Sequence, residues 1–128
     1  MESRLAVGAM SGTSLDGLDL VLVEFNWQKD SLESSISYRI LASQTKSYSE
    51  DFRDELRNSF MLNGSLLKKL DHEVGLFFGV CIRDFIQGFA PEYRKRNIDF
   101  IASHGHTVFH NPEENYTFQL GNGPEISW

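Results

Sequence analysis

The sequence predicts an α/β protein that opens with a three-stranded antiparallel meander, continues through two helices, and returns to a further strand and a hairpin. Three observations carry this prediction. Two apolar runs, residues 5–10 and the Val- and Leu-rich 18–25, flank a glycine-rich turn and read as strands. A third stretch, 36–43, alternates apolar and polar residues with period two. Beyond residue 47 the apolar spacing changes to three and four, the period of a helix.

Leu5 to Met10 shows no polar alternation, so it reads as a buried first strand. Leu18 to Phe25 is the second, and Asn26 to Ser35 is polar and turn-like. In the third strand Ile36, Tyr38, Ile40 and Ala42 share one face, as in a half-exposed strand at a sheet edge. Ser47-Tyr48-Ser49-Glu50 has capping-box spacing, and Phe52, Leu56 and Phe60 then recur every four residues. Asn63-Gly64-Ser65 ends that helix and caps the next. Positions 67, 70, 74, 77, 78, 81, 82, 85 and 89 mark a long amphipathic helix, about 36 Å at 1.5 Å per residue, closed by Pro91. Ile98 to Ala102 is a short buried strand. It delivers Ser103-His104-Gly105-His106 at its C-terminal end, where ligand crevices of α/β sheets lie. Val108 to His110 and Tyr116 to Leu120 make a hairpin around residues 111–115, and Asn122-Gly123-Pro124 is a turn.

The first turn holds the densest chemistry. Gly8, Gly12 and Gly17 let the backbone bend, and Ser11, Thr13 and Ser14 supply hydroxyls, with Asp16 and Asp19 following. Backbone N–H groups and hydroxyls suit phosphate oxygens, and a carboxylate at the rim suits hydrated Mg²⁺. An ordinary hairpin turn uses the same residue types. There is no Gly-Lys-Ser/Thr ending, so the stretch is not a P-loop, and the strand that follows argues against a Rossmann fingerprint. Ser11 lacks the glycine two residues before it that a nucleophile elbow needs. What remains is a phosphate-binding β-hairpin of the kind used by the actin, hexokinase and Hsp70 ATPase superfamily.

Two long motifs sharpen this. Gly8-x-Met10-Ser11-Gly12-Thr13-Ser14-x-Asp16-Gly17-x-Asp19 closely resembles the N-terminal signature of the anhydro-N-acetylmuramic acid kinases. Ser103-His104-Gly105-His106-Thr107-Val108-x-His110-x-Pro112 resembles that family's second signature, and Thr117-x-Gln119-Leu120-Gly121 follows at the family spacing. The family pattern usually has glutamine at the position of His106 and aspartate at that of Asn122. The resemblance implies the N-terminal part of an actin-like (ribonuclease H-like) ATPase domain. Residues 1–128 would then be one incomplete domain whose C-terminal lobe, with the general-base aspartate, is absent. It further implies ATP and Mg²⁺ as cofactors and anhydro-N-acetylmuramic acid as substrate, in cytoplasmic peptidoglycan recycling. Gly12, Thr13, Ser14, Asp16, Gly17 and Asp19 are the expected nucleotide and phosphate residues, with Asp16 meeting Mg²⁺ through phosphate or water. Ser11, His104, Gly105, His106, His110 and Gln119 are the expected substrate-pocket residues. No catalytic residue is expected within the chain, which by itself is expected to be inactive.

Composition is compatible with that reading. A net charge of −6 gives no electrostatic reason to expect nucleic-acid or anionic-membrane partners. Arg94-Lys95-Arg96 reads as a solvated helix end, and no apolar run reaches membrane-spanning length. Cys81, the one cysteine, sits in the helical apolar pattern and is expected in the core. Two other classes stay open from the residues: a stand-alone nucleotide-binding module, and a metal-dependent hydrolase built on His104, His106 and His110 with Asp99, Asp16 or Asp19 nearby. Asp71-His72-Glu73 is expected on a solvated helix face. An incomplete domain would also expose apolar surface, through which it could self-associate.

Overall fold

The computed structural model describes residues 2–28, 35–88, 97–121 and 123–126. Its meander is β1 (Glu2–Ser11), β2 (Gly17–Trp27) and β3 (Ile36–Ser47). The strands outrun the apolar segments because backbone pairing continues past them. β1 and β2 pair from Glu2↔Trp27 to Ser11↔Leu18, and β2 and β3 from Gly17↔Ser47 to Trp27↔Ile36. Asn26 and Trp27 therefore belong to the sheet and not to the expected turn.

Ser47 stays in the ladder opposite Gly17, so α1 (Glu50–Arg57) starts two residues later than the capping-box spacing suggested. Its cap is Ser49, whose Oγ accepts from the Phe52 N–H at 3.2 Å. The helix stops early. The buried Ser59 hydroxyl donates to the Leu56 carbonyl at 2.7 Å, a tight 3₁₀ turn covers Ser59–Met61, and Phe60 is turned outward, 57% exposed. Phe60 thus leaves the apolar face that its spacing gave it.

Asn63 caps α2 (Gly64–Gln87), accepting from the Leu66 N–H at 2.9 Å. Here the helical period holds: Leu70, Val74, Phe78, Cys81, Ile82 and Phe85 are buried, with Leu67 and Phe77 packed beside them. Burial also pushes the Cys81 thiol up, which suits a packing role. Phe89, Pro91, Arg94-Lys95-Arg96 and Asn122 lie outside the described residues. β4 (Phe100–Asn111) and β5 (Tyr116–Leu120) complete the sheet, and α3 (Gly123–Ile126) packs on α2 at Gly79.

The strand order is β3-β2-β1-β4-β5, with β4 parallel to β1 and every other pair antiparallel. This mixed sheet is consistent with the N-terminal part of an actin-like ATPase domain. One face carries Leu5, Val7 and Ala9 of β1 and Leu18, Leu20 and Leu22 of β2 into the core shared with α2. The opposite face is open among the described residues, with Met10, Tyr38, Ile40 and Phe100 exposed. Asp99 ties the start of β4 to β1 from both ends: its carboxylate accepts from the Leu5 N–H at 2.7 Å, and its own N–H donates to the Leu5 carbonyl at 2.8 Å.

Candidate active site

The second motif lies inside a strand. β4 does not stop at Ala102 as expected; it runs on to Asn111, because β5 takes over as its partner from His106↔Leu120 onward. At the handover the register with β1 slips, from Ala9↔Ser103 to Ser11↔His106. Two residues of β1 thus face three of β4, which is a bulge. It centres on Gly105, whose φ is +78° and whose absent Cβ would run into the Leu120 carbonyl, so only glycine fits.

The bulge separates the histidines. In a regular strand His104 and His106 would share a face. With the extra residue, His106 joins Ser11 on the helix-covered face, while His104 joins the open face. A second slip, between Thr107↔Gln119 and Phe109↔Phe118, puts His110 opposite Thr117 on the open face too. Among the described residues no three His, Cys, Asp or Glu side chains gather as metal ligands. The zinc-type arrangement that the His-x-His spacing allowed loses its geometric basis.

On the open side, Thr13 from the first motif, His104, Thr107 and His110 from the second, and Thr117 and Gln119 from the segment that follows it line one cleft of about 580 Å³. Gln119 Nε2 donates to Thr117 Oγ1 at 2.7 Å, and Thr117 Oγ1 donates to the Phe109 carbonyl at 3.0 Å. His104 also borders a neighbouring groove of about 840 Å³ with Gly8, Met10, Ser43 and Asp19. In that groove Asp19 accepts from the Thr45 hydroxyl at 2.6 Å. Asp19 is therefore a strand residue on the sheet face, apart from the turn that holds Asp16.

The turn itself is built from Gly12 to Asp16. Leu15 N–H donates to the Gly12 carbonyl at 3.1 Å, and Leu15 sits in the left-handed region at φ +59° with its side chain buried. Arg53 of α1 donates from Nε to the Leu15 carbonyl at 3.0 Å and so braces the strained residue from outside the motif. Thr13, Ser14 and Asp16 stay exposed. Gly17 is fixed by close packing, since a Cβ there would strike the Lys46 carbonyl of β3.

Ser11 and His106 sit elsewhere, each 4% exposed on the helix-covered side. Tyr48 donates to Ser11 Oγ at 2.7 Å, and Ser11 Oγ lies 3.0 Å from His106 Nδ1. Burial pushes the Tyr48 phenol up to about 12 and lowers the His106 imidazole below its ordinary value. Neither Tyr48 nor Arg53 stands out in the sequence. The one local sign for Tyr48 is an aromatic just ahead of a helix cap, here packed on Phe52 with ring centroids 4.9 Å apart.

The Asp71-His72-Glu73 triplet divides as well. Asp71 is buried, accepting from the Gly121 N–H at 2.8 Å and facing Lys68 at 3.0 Å, which corrects the expectation of a solvated position. His72 pairs with Glu125 of α3 at 3.0 Å, and Glu73 lies 3.8 Å from Lys69.

The model of one protein family, anhydro-N-acetylmuramic acid kinase, matches residues 4–127. The chain belongs to the anhydro-N-acetylmuramic acid kinase family. A relative of that name from Brucella canis is 36% identical over 131 residues, covering 94% of this chain and 32% of the relative. Those from Haemophilus influenzae and Pasteurella multocida are 32% and 35% identical, covering 94% and 89% of this chain and 30% and 28% of their own lengths. The chain thus spans about a third of the length of the kinases it matches. Kinases of this family transfer a phosphoryl group, and a phosphoryl-transfer site calls for donors to phosphate oxygens beside a substrate cleft. No helix among the described residues is long and apolar enough to cross a membrane.

Proposed function

We propose that residues 1–128 are the N-terminal part of an ATP-dependent kinase that opens the 1,6-anhydro bond of anhydro-N-acetylmuramic acid and phosphorylates O6. One observation carries this reading: two motifs about ninety residues apart meet in one cleft, with Thr13 from the first and His104 and His110 from the second, beside Gln119 of the segment that follows. The exposed Thr13 and Ser14 hydroxyls and the main-chain N–H groups of residues 12–14 would hold phosphate oxygens, the Leu15 N–H being taken by the Gly12 carbonyl. His104, His110 and Gln119 offer donors and acceptors suited to sugar hydroxyls and an acetamido group.

The donor chemistry fits Mg²⁺. Asp16 is exposed and, among the described residues, its carboxylate makes no hydrogen bond or ion pair, and the neighbouring hydroxyls are hard oxygen ligands. When bound, Mg²⁺ would neutralise charge on the transferring phosphates. Asp19, tied to Thr45, is the second candidate.

In the reaction, water attacks the anomeric carbon and gives up a proton to a general base, the C1–O6 bond breaks, and O6 takes the γ-phosphoryl group of ATP with release of ADP, so the departing oxygen needs no separate proton donor. We assign no general base among residues 1–128. Self-association through the open sheet face, which exposes Tyr38, Ile40 and Phe100, belongs to the same proposal, and sedimentation across a concentration series tests it. A cytoplasmic site of action in cell-wall recycling follows from the substrate.

Calorimetric titration of Mg-ATP into the chain, with Asp16→Ala alongside, tests the reading. Binding that is lost in the variant supports it. Equal binding by both proteins removes Asp16 from the site and favours a nucleotide-binding module of another design.

A further inference from the structure

The buried hydroxyl pair beside His106 has a directional consequence. Three polar groups, Tyr48 Oη, Ser11 Oγ and His106 Nδ1, stand in line at 2.7 and 3.0 Å. Tyr48 donates to Ser11, so the Ser11 oxygen already accepts one proton. Its own proton needs an acceptor, because leaving a buried hydroxyl unpaired is costly. His106 Nδ1 is the acceptor within reach. That nitrogen must then carry no proton, and the ring proton of the neutral imidazole sits on Nε2.

Nε2 has a defined outlook. No side-chain nitrogen or oxygen among the described residues is both sealed from solvent and unpaired. Nε2, with no side-chain or main-chain partner among the described residues, therefore reaches solvent, and His106 lines a second, smaller cavity of about 200 Å³ beside the Gly12–Leu15 turn. Thr13, Arg57, Ser59 and Thr107 line it, with apolar Leu15 and Phe60 beside them. Thr13 belongs to both this cavity and the larger cleft.

We propose that Tyr48 and Ser11 lock His106 as the Nε2–H tautomer, so that it presents a fixed neutral hydrogen-bond donor to an acceptor oxygen of the ligand bound at Thr13. This rests on the kinase-site reading above. Tyr48 and Ser11 are positioning residues; His106 is the group that touches ligand. The acceptor oxygen comes from either the nucleotide phosphates or the sugar. A glutamine side chain would reproduce the donor through its amide N–H, whereas leucine would fill the space without one.

The test is ¹⁵N NMR of the histidine-labelled chain, alone and with Mg-ATP or anhydro-N-acetylmuramic acid added separately. The free protein should show the Nε2–H pattern for His106, and Ser11→Ala should convert it to a tautomer mixture. An Nδ1–H pattern, or an unchanged pattern in Ser11→Ala, overturns the locking. One of the two ligands should shift the Nε2–H resonance, which identifies the source of the oxygen. His106→Leu should weaken that ligand about 3- to 10-fold, with His106→Gln closer to wild type. Shifts at other residues with His106 unmoved overturn the donor role and leave the kinase reading standing. No shift anywhere with either ligand overturns the kinase-site reading and the donor role together, while the free-state pattern still decides the tautomer.

Discussion

Asp71, a third of the way along α2, accepts a hydrogen bond at 2.8 Å from the main-chain N–H of Gly121, fifty residues further on. The contact fixes where β5 ends. Gly121 has φ +117°, and its missing Cβ would lie 3.4 Å from the Phe78 ring, so the chain turns tightly against the helix. Gln119, a cleft residue, is two positions away. A residue on the helix thus sets the exit of a strand that lines the cleft.

Asp71→Ala leaves the Gly121 N–H without its acceptor and is expected to cost about 2 kcal/mol, a Tm decrease of roughly 6–10 °C. Asp71→Asn keeps an acceptor oxygen and is expected to lose about half as much. Thermal unfolding checks both. An alanine variant as stable as wild type would remove Asp71 from this role.

Gly105→Ala should be among the most damaging single changes. It combines a positive φ with a collision at the Leu120 carbonyl, and each of these costs on the order of 1–3 kcal/mol. Gly64→Ala is the matched control: nothing lies within 4 Å of its would-be Cβ, and alanine is the better helix former by up to about 1 kcal/mol. Urea unfolding should therefore move the two midpoints in opposite directions.

Leu15 sets burial against backbone strain. Relief of the left-handed conformation in Leu15→Gly gains about 1–2 kcal/mol, and loss of the buried side chain costs about 1.5–3 kcal/mol. Burial wins, with a net loss of about 1 kcal/mol expected. Arg53→Ala tests the brace more locally. Hydrogen exchange at the Leu15 amide should speed up relative to amides in the middle of α2, and equal protection in variant and wild type would rule the brace out.

The buried hydroxyl–imidazole chain gives stability two pH limits. His106 has a lowered folded value, so the unfolded chain binds its proton first as pH falls below about 6.5. Its contribution is present above that pH and is lost as pH falls towards the folded value. Tyr48, raised to about 12, acts at the other end: its contribution is intact below about 10 and is lost as pH rises through about 12. Denaturant midpoints across pH should show both slopes. His106→Gln should flatten the acid one and Tyr48→Phe the alkaline one, and unchanged slopes would contradict the assignment.

The sequence by itself determined the three meander strands, the two helices that follow, the apolar face of α2, the Asn63 cap, and the two motifs that bear the family resemblance. Those features are local: a period of two or of 3.6, or a residue type beside a turn, is written into a few consecutive positions. The bulge was not legible there, because the strand was expected to stop at Ala102, ahead of Gly105. Nor did the sequence show that β4 runs unbroken to Asn111 or that a helix starts at Gly123. Only the tertiary structure decided which histidine faces which way, since that depends on the slip between β1 and β4, strands about ninety residues apart in the chain. The same holds for Tyr48, Arg53 and Asp71. Each matters through a single group brought to it from a distant segment (Ser11, the Leu15 carbonyl, the Gly121 N–H), and no local pattern encodes the partner of a long-range hydrogen bond.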